Sequence, residues 1–300
     1  MITVSHLSKT YKTGSVEFPV LKNISFTVEK GDFVAITGKS GSGKSTLLYQ
    51  LSLLDTPTSG TVTLNGTDAW KLTDAQRVSY RLTELGYVFQ DYALVPELTT
   101  EENVSLLPMA LGNPDEVCHE VSVEILDVVG LKERLSHLPR ELSGGEQQRV
   151  AIARALVIKP RILQLAEPLS ALDAITHKKM RNELARIPML TGVSVIHITH
   201  HAEDLISLGH RTAVMDNGAI VQIGSPDEIF QNPKTPFVAA FTGMENLFSG
   251  IAMDSHEGKV IRIGQVKIHV ITPYTGPVQC GIRPDAVSYT HLTLPTIYSV

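Results

Sequence analysis

A chain of 300 residues, 43% apolar and 19% charged, is long enough for one main domain with a smaller appendage and too apolar to stay disordered. Its formal charge of −5, without a long Lys/Arg run, gives no electrostatic support for binding nucleic acid. Cys118 and Cys280 stand alone without a CxxC spacing, so neither a zinc site nor a disulfide framework is expected, and a reducing compartment fits.

The opening MITVSHLSKTYK lacks the apolar core of a signal peptide, and no uncharged apolar run reaches the ~18 residues that span a bilayer. Any work at a membrane would therefore be done from the cytoplasmic side with a separate spanning partner. An apolar stretch over 28–35 runs through FVAIT into a glycine-rich loop, and a helix is predicted over 45–54. Further strands are predicted over 161–166 and 193–199, with helical patterns over 146–157 and 177–187. The alternation points to an α/β fold with a doubly wound parallel sheet. Between 91 and 158 helical signals dominate and read as an inserted helical subdomain. Past three prolines, short alternating stretches such as KVIRIGQVKIHV over 246–282 predict a small β appendage.

The loop GKSGSGKST supplies Gly38, Lys39, Ser40, Gly41, Ser42, Gly43, Lys44, Ser45 and Thr46, and matches the phosphate-binding pattern G-x-x-x-x-G-K-[ST]. Triphosphate oxygens need donors that carry no competing counter-ions, and a glycine-rich turn aims successive backbone N–H groups inward at them. Lys44 is expected to reach the β- and γ-phosphates of ATP, and the Ser45 hydroxyl to bind Mg²⁺.

A hundred residues on, LSGGEQQR resembles the signature of ATP-binding cassette (ABC) ATPases. The resemblance implies a P-loop NTPase with a RecA-like core over 1–235, the helical subdomain at about 91–158, and a partial, TOBE-like β appendage over 240–286. It implies that Ser143, Gly144 and Gly145 grip the ATP held by a second cassette, in a homodimer or a paired cassette. It also places Tyr11 against the adenine and Gln90 on Mg²⁺ and the attacking water. Glu167 takes the place of the catalytic base, Asp173 in SALD that of a D-loop contact between protomers, and His200 that of the γ-phosphate switch. The other partners implied are membrane permease subunits and a substrate-binding protein, with the chain peripheral on the cytoplasmic face of the inner membrane.

One position departs from the family pattern. Four apolar residues are normally followed by Asp-Glu, whereas this chain reads ILQLAEP, with Ala166 in the place of the Asp that organises the Mg²⁺ shell. A methyl can neither accept a hydrogen bond from water nor offset a cation. Two readings stand side by side: a cassette that binds ATP but turns it over slowly, and a one-base change in an ordinary Asp codon. The first half, with HLPRELSGGEQQR, resembles lipoprotein-releasing and macrolide-export ATPases, and the second, with FVAAFTGMENLFSG, resembles molybdate and tungstate importers. The stretch 287–300, VSYTHLTLPTIYSV, resembles translated adapter sequence, which would leave the appendage truncated and poorly packed. The function expected is an ATP-hydrolysing transporter subunit; the alternative is a non-transport ATP-dependent switch like the cell-division relatives.

Overall fold

The computed structural model describes residues 1–170, 172–244, 246–255, 258–270, 274–282 and 297–299. Strand β1 (Ile2–Thr13) starts with Ile2 and Val4 buried, then changes parity at His6, whose φ of 53° opens a bulge, so that Leu7 and Lys9 turn inward instead. An extra residue in one strand reverses which side chains face the core beyond it. β1 pairs antiparallel with β2 (Val16–Val28). Its other edge will meet β4, after the chain has first run through β3 (Phe33–Gly38) and helix α1 (Lys44–Leu51). β4 (Ser59–Leu64) and β5 (Thr67–Asp68) complete a four-stranded antiparallel sheet. Sequence periodicity did not anticipate this sheet, because the bulge breaks the alternation that would announce β1.

After α2 (Asp74–Thr83) comes a second sheet, built from β3, β6 (Leu85–Val88), β7 (Ile162–Ala166), β8 (Ser194–Ile198), β9 (Arg211–Asp216) and β10 (Ala219–Gly224). Its order is β10-β9-β3-β8-β7-β6, parallel throughout except that β10 returns antiparallel on β9. β3, β7 and β8 answer the strands expected over 28–35, 161–166 and 193–199. Both faces of the sheet are covered. On one, Ile36, Ile196 and Ile198 meet Leu47, Leu48 and Leu51 of α1 together with Val28 and Val62 of the antiparallel sheet. On the other, Leu163, Leu165 and Val195 meet Ile152 and Leu156 of α5 (Gly144–Leu156) and Met180 and Leu184 of α6 (Ala174–Thr191). Burial on both faces explains why these strands read as continuous apolar runs.

The helical segment consists of α3 (Thr100–Ala110), α4 (Asp115–Val128) and α5, around Val104, Leu126, Leu131, Val150 and Ala153. α5 contributes to this core with one face and to the parallel sheet with the other, which is how the signature helix is tied to both. Three short helices, α7 (Ala202–Leu208), α8 (Pro226–Gln231) and α9 (Pro236–Phe241), lead to the C-terminal sheet. There β11 (Asn246–Ser255), β12 (Gly258–Ile263), β13 (Val266–Val270) and β14 (Gly276–Ile282) pair antiparallel around a small core of Ala252, Ile261 and Cys280. β15 (Ile297–Ser299) adds an edge on β14; residues 283–296, most of the stretch read as adapter-like, lie outside the described residues. Among the described residues no helix is long and apolar enough to cross a membrane.

Two buried polar groups in the parallel sheet carry predictions. Gln164 on β7 is fully buried and neither amide atom has a partner. An unpaired buried amide costs about 1–3 kcal/mol, so Gln164→Leu should stabilise the fold by that order in chemical denaturation. His197 on β8 is buried edge-on to the Phe33 ring at 5.9 Å, and burial, reinforced by the charges of His177 and His201, lowers its pKa from 6.5 to about 3. The unfolded chain then binds the extra proton between those values, so this contribution is complete above 6.5 and is lost as the pH falls toward about 3. His197→Phe should gain in melting temperature relative to the parent as pH drops from about 7 to about 4; a difference independent of pH would refute the assignment.

Candidate active site

The turn between β3 and α1 is the foundation of the site. Gly38 has a φ of 147°, and a Cβ there would lie 2.1 Å from the Met215 carbonyl of β9, so no side chain fits. Gly43, at φ 97°, stands at the N-cap of α1 with the Val20 carbonyl 2.9 Å from where its Cβ would be. The chain therefore closes tightly between β9 and β2, and the N-terminus of α1 opens into the cleft. Lys44 is buried, and its Nζ donates to the carbonyls of Gly38 at 2.9 Å and Lys39 at 3.0 Å. Burial lowers its pKa, against the pull of the Glu167 carboxylate.

A cleft of ≈ 720 Å³ opens over this loop, lined by Gly38 through Gly41, Gly43 through Thr46, and by Gln90, Glu167 and His200. The three residues taken for chemistry thus meet the loop in one cavity although they stand up to 162 positions from Gly38 (200 − 38). Ser42 is buried beneath the loop instead, its carbonyl accepting from Gly218 N at 3.2 Å.

Glu167 has the left-handed φ of 49°, a conformation that costs a non-glycine residue on the order of 1 kcal/mol. Its backbone is held there by Glu167 N donating to Ile198 O at 3.1 Å and by Ser170 Oγ donating to Glu167 O at 2.9 Å. The turn swings the carboxylate off the end of β7 to within 3.5 Å of His200 Nδ1. His200 sits at the end of β8 with half of its side chain in solvent. Beside it the His201 ring stacks at 4.3 Å, and His201 in turn meets His177 at 5.0 Å. Behind this pair the fully buried Asp204 accepts from Thr199 Oγ1 at 3.0 Å and lies 3.6 Å from Arg181. His177, Arg181 and Asp204 were not singled out from sequence; the burial of Arg181 and Asp204 and the packing of His177 beside them exist only in three dimensions.

Ala166 ends β7 beside Ile198, half-buried, its methyl packed against the core that α1 shares. Gln164, two residues earlier, is sealed in that core and does not line the cleft. A hard cation could take the Ser45 hydroxyl and the Gln90 side-chain oxygen, both in the cleft, alongside phosphate oxygens and water. Among the described residues no cluster of His, Cys, Asp and Glu could hold a metal alone, so such a cation would lean on the phosphates.

Tyr11 is not among the residues lining the cleft but hydrogen-bonds Thr46, which is. Beyond the bulge it points with Lys9 toward Asp55: its hydroxyl donates to Asp55 Oδ2 at 2.6 Å, while Lys9 Nζ donates to Asp55 Oδ1 at 2.7 Å and lies 4.7 Å from the Tyr11 ring. Burial and then Asp55 raise the phenol to about 12, and the two hydrogen bonds outweigh burial in holding the Asp55 carboxyl below its usual range. Val20 and Phe241 do line the cleft, and sequence reading passed over both.

Ser143, Gly144 and Gly145 lie outside the cleft. Ser143 caps α5 in a capping box with Glu146, whose carboxyl is brought to about 2 by the Ser143 N–H and hydroxyl and by Arg134. The signature turn packs on the first turn of α6 and the residues just before it: a Cβ at Gly145 would meet Thr176 at 2.8 Å, and one at Gly144 would meet Leu172 at 3.8 Å. Asp173 caps α6 by accepting from Ile175 N and Thr176 N, both at 3.1 Å. The structure therefore groups the expected residues into two surfaces, one around the loop and one around the signature.

Residues 21–170 match the ABC transporter family. The chain is 37% identical over 289 residues to the molybdate/tungstate import ATP-binding protein WtpC of Pyrococcus horikoshii, covering 96% of this chain and 79% of that one. It is also 37% identical to the Fe(3+) ions import ATP-binding protein FbpC of Brucella abortus, over 95% of this chain and 80% of the relative. Among solved structures, the dimeric ATP-binding cassette MJ0796 bound to ADP and Pi superposes with a TM-score of 0.70 at 34% identity, over 75% of this chain and 99% of that one. The phosphate loop, the cleft and the signature turn agree with these likenesses, and the chain belongs to the ABC transporter family as an ATP-binding, ATP-hydrolysing subunit with the P-loop NTPase fold.

Proposed function

We propose that this subunit powers import, working as a pair of cassettes beneath separate permease subunits on the cytoplasmic face of the membrane and served by a substrate-binding protein. Support for import comes from the relatives, whose printed names are those of import proteins and whose similarity runs through both halves of the chain and into the C-terminal sheet. In this reading residues 1–235 form the cassette, with the helical subdomain at about 91–158 and the β appendage from 240.

The observation that carries the reading is the separation of the two surfaces. Lys44, Gln90, Glu167 and His200 share the cleft, whereas Ser143, Gly144, Gly145 and Asp173 do not. A triphosphate seated on the loop has its end exposed to the second surface of another copy, where the α5 N-terminus can meet the γ-phosphate. Two copies related by a two-fold axis complete two such sites.

Within a site, the loop N–H groups and Lys44 hold the phosphates, and the Glu167 carboxylate orients a water and takes its proton. The His200 imidazole, 3.5 Å from that carboxylate, donates to the γ-phosphate oxygens as charge develops on them. Ser45 and Gln90 are the residues that would hold Mg²⁺, which would supply positive charge to offset the negative charge of the phosphates. Ala166 adds no acceptor at the strand end where a second carboxylate would orient the cation's water, so cation affinity and turnover are both reduced.

Two experiments test this. Ala166→Asp should raise Mg²⁺-dependent ATPase turnover by about 10–100-fold and lower the Mg²⁺ concentration needed; equal rates would show that the missing carboxylate is not limiting. Glu167→Gln, which keeps the shape of the site without the base, should form a dimer with saturating ATP in light scattering, and a variant that stayed monomeric would contradict the shared site.

A further inference from the structure

We infer that Thr199 and His201 are positioning residues for His200: the Thr199 hydroxyl fixes the turn that carries His200, and the His201 ring holds its imidazole beside Glu167 at the cleft. His200 has half of its side chain in solvent, so its ring needs support from behind to keep one orientation. Thr199, the residue before it, is buried, and its Oγ1 makes two hydrogen bonds at once: it accepts from His201 N at 3.1 Å and donates to Asp204 Oδ2 at 3.0 Å. Asp204 N in turn donates to His201 O at 3.1 Å, which closes the turn between β8 and α7 from both ends. The same strand end holds the candidate base, because Ile198 O accepts from Glu167 N at 3.1 Å. Carboxylate and imidazole are thereby set on one frame.

Behind His200 stands a column of rings. His201 stacks on it with centroids 4.3 Å apart and planes tilted by 33°, and His177 of α6 meets His201 edge-on at 5.0 Å. Burial, and then the neighbouring His200, lower the pKa of His201, so it packs against His200 as a neutral ring and without charge repulsion. The foot of the column is the fully buried Asp204, with His177 Nε2 at 3.4 Å and Arg181 Nη1 at 3.6 Å; Arg181 is itself fixed by donating to Glu203 Oε2 at 2.8 Å. The crevice behind Glu167 and His200, walled by Leu169, Ser170 and His197, has no room for a water molecule, so the ring cannot retreat into it. Such support matters because a catalytic group misplaced by about 1 Å can lose on the order of 100-fold in rate.

The inference rests on the reading of His200 as the γ-phosphate donor, and its test separates the two. Thr199→Val keeps the shape of the side chain and removes both hydrogen bonds, whereas Thr199→Ser keeps them; His201→Ala removes the stacked ring, whereas His201→Phe keeps one. In the full chain, Thr199→Val and His201→Ala should lower kcat for ATP by about tenfold while calorimetric ATP affinity changes by less than about twofold, and Thr199→Ser and His201→Phe should stay within about threefold of the parent. In a His200→Ala background Thr199→Val and His201→Ala should cost nothing further, because residues that act through one group are not additive. Parental kcat in Thr199→Val and His201→Ala, conservative variants as slow as the disruptive ones, or the same tenfold loss repeated in the His200→Ala background overturns the inference. The placement of the ring is also read without turnover, from the imidazole ¹⁵N shifts of His200 in histidine-labelled protein, assigned by their loss in His200→Ala. Thr199→Val should move them and Thr199→Ser should not; unmoved shifts in Thr199→Val likewise overturn the role of Thr199. Parental turnover in His200→Ala itself would strike at the donor role of His200, and the ring shifts would then decide its positioning.

Discussion

A buried ammonium hydrogen-bonded to two backbone carbonyls organises this molecule. Lys44 is almost fully enclosed, with the Gly38 and Lys39 carbonyls as its hydrogen-bond partners. Such a site is a standing demand for an anion, because burial disfavours the charge that the carbonyl dipoles only partly compensate. It exists because Gly38 lets β3 turn directly against the Met215 carbonyl of β9, which no residue with a Cβ could do. The parallel sheet, the helix α1 that leaves the turn and the antiparallel sheet packed over α1 all serve to hold that turn.

Glu167 shows a second expenditure of folding energy on chemistry. Its left-handed backbone is tolerated because Ile198 and Ser170 bind its N–H and carbonyl, and the result is a carboxylate beside His200 and over the loop. Strain of this kind clusters at functional sites when the surrounding structure over-determines it. Ala166, one residue earlier, has no comparable polar task, and its methyl completes the core against α1. The strand end thus carries the Glu167 carboxylate and has a methyl where a second carboxylate would stand.

The C-terminal part of the chain is joined to the nucleotide cleft rather than appended to it. Phe237 touches Lys39, Phe241 lines the cleft and Met244 is locked against β14, all within eight residues (237–244) of one helix and its exit. Among the described residues the core of the β module, centred on Ala252, Ile261 and Cys280, is small, so this connection also gives the module a fixed footing.

Sequence by itself determined what depends on local rules. GKSGSGKST needs only a strand, a glycine turn and a helix, so Gly38 to Thr46 were legible at once; LSGGEQQR is a helix cap with a distinctive string; and the buried strands announced themselves as apolar runs because both their faces are covered. Tertiary structure alone decided what depends on pairing and proximity. The antiparallel sheet was hidden by the bulge at His6, Tyr11 was drawn to Asp55 by that same change of parity, and Phe241 entered the cleft because α9 docks on Lys39. The division of the site residues into two surfaces also belongs to the tertiary structure. Spacing along a chain carries no record of which groups converge, since convergence is set by the order of strands in a sheet.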